Sequence, residues 1–416
     1  MKSRFVDTAS APAAGFVETA TSETDHMTTK AILLGSALAL GALPAMAQDT
    51  IKIGAIFPLS GPNAQFGNSS VNGMRLALER MQEETDGIAD RVELVVTDVP
   101  APGDAPAATQ RLINNDGVVG LIGSFSSSIT LAASEITERA QVPMISHSFA
   151  DQITERGYEY IFQISSKGSA IGAAQLNHAV EIAEAEGVDV SSIAILYEDT
   201  SYGTAQAAGI RDAAAEAGIE VAVDQGYPLG ISDVSPLINS VRRAEPDIVF
   251  PVSYLNDSLL IVRTMRQQGL STPVVGGAAG YIIPAFKDGL GEFTENVFSV
   301  APANYDYVPE INADYEEAHG TFMPHEALMY GAALQHMITA IEEADSTDPV
   351  EIRDAISALE YCDGFASGLP GECIAFDETG ATTTGFPIFV QWRGDDIVTV
   401  YPPESAREEP IWATAD

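Results

Sequence analysis

The chain has 416 residues, and its 59 acidic against 20 basic side chains give a formal net charge of −39. With 46% hydrophobic and 19% charged residues, the composition is that of a globular protein of roughly two or three domains, which excludes wholesale disorder. So large an acidic excess argues against nonspecific nucleic-acid binding and against docking on anionic lipid, because both need clustered Lys and Arg.

The N-terminal segment carries a targeting signal. Residues 1–26 are polar and aperiodic, and they are expected to be a non-native extension ahead of the true start. Residues 27–47 combine a short basic start, an apolar run and the small-residue site Ala45-Met46-Ala47, which together describe a cleaved secretory signal peptide. The apolar run is shorter than the ~20 residues of a membrane span, so a periplasmic location is expected for the mature protein.

Downstream of this signal, short apolar runs alternate with segments whose apolar residues recur at helical spacing. In the first set, strands are predicted at 51–57, 92–97, 118–122 and 142–145, and helices at 71–84, 105–114 and 130–140. In the second set, strands are predicted at 192–196, 220–223, 247–253 and 272–276, and helices at 170–186, 203–217, 234–244 and 258–268. A long helix at 326–343 and strands at 374–376 and 387–392 follow. The pattern predicts an α/β fold of two Rossmann-like lobes, each a mostly parallel sheet with helices on both faces, joined by several chain crossings.

The chain has two cysteines, Cys362 and Cys373, which lie in a Gly- and Pro-rich loop. In an oxidising compartment a disulfide is expected, and closing so small a loop would stabilise the fold by roughly 2–3 kcal/mol. A metal site would need more ligands, and a catalytic thiol would need a nearby His.

The sequence shows no enzymatic signature. Dinucleotide and P-loop glycine motifs, H-E-x-x-H and G-x-S-x-G are all absent, and the six His residues are scattered. The protein is therefore expected to be no enzyme and to hold no cofactor or metal. A secreted hydrolase whose catalytic residues converge only in space is the disfavoured alternative.

A serine-rich segment, 123–130, follows a predicted buried strand and precedes a predicted helix. Backbone N–H groups at a helix N-terminus lack partners and carry partial positive charge, so they bind carboxylates. Ordinary N-capping explains one such serine but not four, which favours a ligand site.

Three further segments, 146–150, 197–203 and 253–257, also follow strand ends, where open α/β sheets bind ligands. Hydrogen-bond donors in one lobe and aromatic rings in the other would describe a cleft that closes over a small molecule. His147 could contact a ligand, but a place at the surface or behind the contacting residues is expected.

The order and spacing of short motifs resemble those of the class I periplasmic binding proteins of ABC importers, in the branched-chain amino-acid (leucine/isoleucine/valine) group. The resemblance covers about 51–392, and its motifs stand at 58–62, Gly67, 72–73, 116–123, 143–146, 202–203 and 376–380. It implies one lobe at 50–164 plus 302–375 and another at 165–301 plus 376–416. It also implies a small-molecule ligand such as an amino acid or a related carboxylate or amide, a membrane ABC permease as partner, and a monomeric state. A ligand-sensing regulatory module of the same fold is the alternative.

The resemblance also assigns contacts to particular residues. The carboxylate-binding serine falls on Ser127 with Ser126 beside it, further contacts fall on Ser148 and Ala150, and the aromatic walls fall on Phe66, Tyr202 and Tyr254.

Two positions depart from the amino-acid binders. Ala150 stands where they usually carry a Thr, and Ala278 stands at or near their acidic partner of the ligand ammonium. Burying an ammonium without a counter-charge is costly, so the ligand need not be a standard α-amino acid. Asp199 or Asp257 could supply that charge from another direction.

Overall fold

Five parallel strands form the first sheet of the computed structural model, which describes residues 50–84 and 87–412. The predicted N-terminal extension and signal peptide lie outside these residues. The strands are β1 (Ile51–Phe57), β2 (Val92–Asp98), β3 (Gly120–Gly123), β4 (Met144–Ser146) and β5 (Ile161–Gln163), in the order β2-β1-β3-β4-β5. Because helices cover both faces, β3 and β4 are buried along their whole length, as their small and apolar residues require.

Seven strands form the second sheet. They are β6 (Ser192–Glu198), β7 (Glu220–Tyr227), β8 (Ile248–Val252), β9 (Val274–Gly276), β10 (Val297–Ala301), β11 (Ile388–Arg393) and β12 (Asp396–Tyr401), in the order β12-β11-β10-β9-β8-β6-β7. The pairs from β6 to β10 are parallel, and β11 and β12 add an antiparallel edge. The predicted α/β class with two mostly parallel sheets is confirmed.

Helices surround the two sheets. They are α1 (Ala64–Glu84), α2 (Ala105–Arg111), α3 (Ser127–Ala140), α4 (Gln152–Glu155), α5 (Gly168–Ala185), α6 (Ser201–Ala217), α7 (Ser235–Ala244), α8 (Leu255–Gln267), α9 (Pro284–Leu290), α10 (Pro309–His319), α11 (His325–Ala344) and α12 (Pro349–Ala358). We call β1–β5 with α1–α4 and α10–α12 the first lobe, and β6–β12 with α5–α9 the second lobe. Helix α11 is buried over most of its length and packs closely on α1, where a Cβ at Gly73 would lie 2.0 Å from the Ala327 carbonyl oxygen. None of the helices described is long and apolar enough to cross a bilayer.

The chain passes between the lobes at three places, 164–167, 302–308 and 385–387. The crossings lie side by side: the Ser166 hydroxyl donates to the Gly385 carbonyl at 3.0 Å, and residues of all three line one small cavity.

Some elements differ from their sequence-based prediction. Helix α1 begins at Ala64 rather than at 71, although its first turns are rich in Gly, Asn and Ser. The predicted strand 374–376 is wrong, because only single bridges form there, from Ile374 to Tyr361 and from Phe376 to Thr382. The bridge at Tyr361 lies next to the predicted disulfide between Cys362 and Cys373, which is present.

Candidate ligand-binding site

The N-terminus of α3 forms one end of the candidate site. Strand β3 ends at Gly123, Ser126 is the N-cap residue, and Ser127 is the first residue of the helix. The first intrahelical hydrogen bond runs from the Thr130 N–H to the Ser126 carbonyl, so the N–H groups of the residues between them have no partner inside the helix. This end of the helix is suited to an anion because its N–H groups carry partial positive charge.

The Ser127 hydroxyl is held in one hydrogen-bonding role. It accepts hydrogen bonds from the backbone N–H groups of Phe149 at 3.2 Å and Ala150 at 3.1 Å. A serine hydroxyl has two acceptor lone pairs and one proton, so these two bonds leave the proton to be donated. Donation into a chain of hydrogen bonds is strengthened by polarisation. Ser127 therefore presents a donor at the positive end of a helix.

A small cavity lies between the lobes at this point. Its lining comes from four residues of the first lobe and three of the second: Phe125, Ser127, His147, Phe149, Tyr202, Tyr254 and Ala279. The Tyr202 ring lies 5.1 Å from the Tyr254 ring and 5.9 Å from the Phe149 ring, measured between centroids. Most of the wall is thus aromatic.

The lobes touch one another around this cavity. Phe66, Phe125 and Phe149 of the first lobe belong to the same hydrophobic cluster as the core of the second lobe. The hydroxyls of Ser128 and Ser201, on α3 and α6, lie 3.1 Å apart. The structure is therefore that of a closed cleft.

Three of the predicted contact residues, Ser127, Tyr202 and Tyr254, line the cavity. Ser126 lies beside them, and its side chain is close to the Tyr254 hydroxyl. Phe66 backs the wall, since its ring stacks on Phe125 with centroids 4.3 Å apart.

Two other predicted residues support Ser127 instead of lining the cavity. The Ser148 hydroxyl donates to the Ser124 carbonyl and lies 2.8 Å from the Thr130 hydroxyl, and its carbonyl accepts from Gln163. Ala150 gives its N–H to the Ser127 hydroxyl. Both are buried, and they fix the position of the serine donor.

Ala278 is buried, and its N–H donates to the Ser299 hydroxyl at 3.0 Å, whereas its neighbour Ala279 lines the cavity. Both alanines have positive φ, 66° and 41°. Non-glycine residues adopt such values rarely, and a surrounding structure must hold them there.

The lining contains no carboxylate. Of the two acids considered from the sequence, Asp199 is exposed and Asp257 is buried in the first turn of α8. Burial and the nearby charge of Glu198 raise the pKa of Asp257 to about 6. Glu198 itself accepts hydrogen bonds from the backbone of Thr200 and Gly203, at the start of α6.

Sequence reasoning missed Phe125, Phe149 and Ala279 as lining residues, although each stands in or next to a segment that it had singled out. His147, expected at the surface or behind the contacts, is 1% exposed and lines the cavity.

Comparison with known proteins places the chain in a family. The family model described as "periplasmic binding protein" matches residues 50–396. The Leu/Ile/Val-binding protein homolog 8 of Brucella suis is 29% identical over 390 residues, which cover 90% of this chain and 95% of that protein.

Among solved structures, a branched-chain amino acid transporter substrate-binding protein of Streptococcus pneumoniae in complex with isoleucine has a TM-score of 0.75 at 20% identity, covering 85% of this chain and 100% of that one. A solute-binding protein of an ABC transporter from R. palustris in complex with benzoate has a TM-score of 0.72 at 18% identity, covering 84% and 95%. The resemblance inferred from the motifs is confirmed. The chain belongs to the periplasmic binding protein family, whose members bind small-molecule solutes and are not enzymes.

Proposed function

We propose that this protein captures a small carboxylate-bearing solute in the periplasm and delivers it to an ABC permease. The carboxylate would sit at the N-terminus of α3, where the Ser127 hydroxyl can only donate once Phe149 and Ala150 occupy its lone pairs. That geometry carries the proposal. Isoleucine and benzoate, held by the two structural neighbours, are both small carboxylates.

An ammonium group on the solute is not required. The lining has no carboxylate, and an unpaired buried ammonium costs several kcal/mol in effective terms, on the order of 3–5 kcal/mol. Hydroxyl groups and aromatic rings suit the carboxylate and the body of such a solute. The chemistry of this lining therefore suits an organic acid without an amine at least as well as an α-amino acid.

Capture would proceed by closure of the two lobes about the three crossings at 164–167, 302–308 and 385–387. The solute would dock on α3 in the open form, and Tyr202 and Tyr254 would then close over it. The Ser126–Tyr254 and Ser128–Ser201 contacts would stabilise the closed form. The permease would recognise that form. Export would use the signal peptide expected at 27–47, and the mature protein would act as a monomer.

Isothermal titration of the mature protein with a panel of small carboxylates, with and without an amine, tests this proposal. For a carboxylate that binds, Ser127→Ala should weaken affinity roughly 10- to 150-fold, because a buried hydrogen bond to a charged group is worth about 1.5–3 kcal/mol. Ser134→Ala is the matched control, since Ser134 is a buried serine on the same helix, away from the cavity, that donates to the Leu131 carbonyl.

If Ser127→Ala and the wild type bind the carboxylate with equal affinity, the N-terminus of α3 does not bind it. Uptake of the bound solute by cells lacking the gene separates transport from sensing: unchanged uptake would favour the regulatory alternative over delivery to a permease.

A further inference from the structure

Two histidines pack together beyond the aromatic wall of the cavity. The His147 ring follows β4 and lines the cavity, and the His325 ring, at the first residue of α11, lies 5.3 Å from it between centroids. His325 also lies 6.1 Å from the ring of Phe125, another lining residue. The two side chains are 1% and 3% exposed, so water does not reach them freely.

These histidines leave nitrogen atoms without partners. Nδ1 of His147 and both ring nitrogens of His325 form no hydrogen bond with the part of the chain that the structure describes. Nδ1 of His325 lies 3.1 Å from Oε2 of Glu326, but without hydrogen-bond geometry. A buried polar atom left unpaired costs about 1–3 kcal/mol, and natural proteins rarely tolerate several together. His147 lines the cavity, and His325 contacts the lining residues His147 and Phe125, so an occupant of the cavity is the candidate partner for these atoms.

The histidine pair is uncharged at neutral pH. Burial lowers the pKa of His147 to about 3, and burial together with His147 lowers the pKa of His325 well below its ordinary value. Burial raises the pKa of Glu326 to about 8, so this carboxyl keeps its proton as well. A neutral imidazole donates from one nitrogen and accepts at the other, which is the complement of a hydroxyl group. It offers no counter-charge to a second carboxylate or to an ammonium.

We propose that His147 and His325 form hydrogen bonds with an uncharged hydroxyl group on the solute, at a position distinct from the carboxylate bound at α3. The ligand class is thus a small hydroxylated carboxylic acid, not a wholly aliphatic one. This inference rests on the proposed function, because it takes Ser127 as the carboxylate end of the same cavity.

Near-isosteric ligand pairs test it, since a methyl group has almost the volume of a hydroxyl but no hydrogen bond. The probes are 4-hydroxybenzoate against 4-methylbenzoate and L-threonine against L-valine, titrated into the full mature protein. In at least one pair the hydroxyl member should bind tenfold or more tightly, because a site built to bond a hydroxyl strongly rejects the analogue that lacks it. His325→Phe and His147→Phe should each reduce that ratio to about threefold or less.

His336→Phe is the matched control, because His336 is a buried histidine farther along α11 whose ring contacts Tyr361 and Phe376 rather than the cavity. It should leave the ratio unchanged. If a histidine variant fails to fold, the affinity ratios of the hydroxyl and methyl ligands measured on the wild type alone decide whether the cavity prefers a hydroxyl group.

If the methyl ligands bind as tightly as the hydroxyl ligands, the inference is wrong, while the proposed carboxylate site at α3 is unaffected. A hydroxyl preference that survives both histidine variants would overturn the assignment to this pair. If no member of either pair binds and the panel of carboxylates also fails, the proposed function falls, and the inference falls with it.

Discussion

Replacing Glu326 by Gln should change how the stability of the protein depends on pH. Glu326 is the second residue of α11, is 1% exposed, and faces the titratable side chains of His325, Tyr315 and Tyr330. Burial raises the pKa of its carboxyl from 4.5 to about 8, and its own backbone N–H and the nearby Ser69 offset only part of this effect. Gln keeps the shape of the protonated carboxyl and cannot ionise.

The sign follows from proton counting. Between about pH 4.5 and 8 the unfolded chain has lost the Glu326 proton, whereas the folded chain retains it. The folded state then binds more protons, so the free energy of unfolding falls as the pH rises, by about 1.4 kcal/mol per pH unit from this one group. The contribution is greatest below pH 4.5, disappears gradually up to about pH 8, and is constant above that value.

Urea unfolding of the wild type and of Glu326→Gln at a series of pH values measures this effect. The stability of the variant relative to the wild type should grow by about 1.4 kcal/mol per unit between roughly pH 5 and 8. The histidines are common to both proteins and cancel to first order in the difference. Glu317→Gln, at an exposed position on α10, measures the effect of removing one negative charge alone. Parallel stability curves for the wild type and Glu326→Gln would refute the reasoning.

Two further substitutions test the backbone and the loop. Ala278→Gly should raise the free energy of unfolding by about 1 kcal/mol, since φ 66° and ψ −140° are open mainly to glycine; a lower thermal midpoint would contradict this. Reducing the disulfide between Cys362 and Cys373 should cost about 3 kcal/mol, from the entropy of a loop with a separation of 11 residues. The double Ser variant should show the same loss and no response to reductant.

The fold was predictable where a single local pattern dominates. The apolar runs of β1 and β8 mark strands buried on both faces, and the sequence places both within a few residues. Strand β5 has only three residues. Helices α10 and α12 follow the second crossing, at 302–308, where strands and helices no longer alternate along the chain. Strand β5 depends on its pairing with β4, because its three residues carry little signal by themselves.

The candidate site likewise has parts that local sequence predicts and parts that it does not. The arrangement at the N-terminus of α3 was predictable because contiguous residues build it: a strand end, a run of serines and a helix start. The aromatic wall was predictable in part, since Tyr202 and Tyr254 start helices after strand ends, but the direction of Phe125 and Phe149 depends on packing between the lobes. Ser148 was predicted to contact the ligand, but its hydroxyl donates to the Ser124 carbonyl instead, and its place in the sequence does not reveal this bond.

His325 lies 178 residues beyond His147 in the chain, and it begins a helix of the first lobe only after the chain has passed through the second. No strand-end rule points to it, and only the docking of α11 against β3 and β4 brings its ring against His147 and Phe125. The donor proposed for the carboxylate and the histidine pair proposed for a hydroxyl group of the solute therefore come from separate parts of the sequence. Substitutions at 147 and 325 can change which solute is chosen while α3 continues to bind the carboxylate, so affinity for the carboxylate and choice among carboxylates should vary independently.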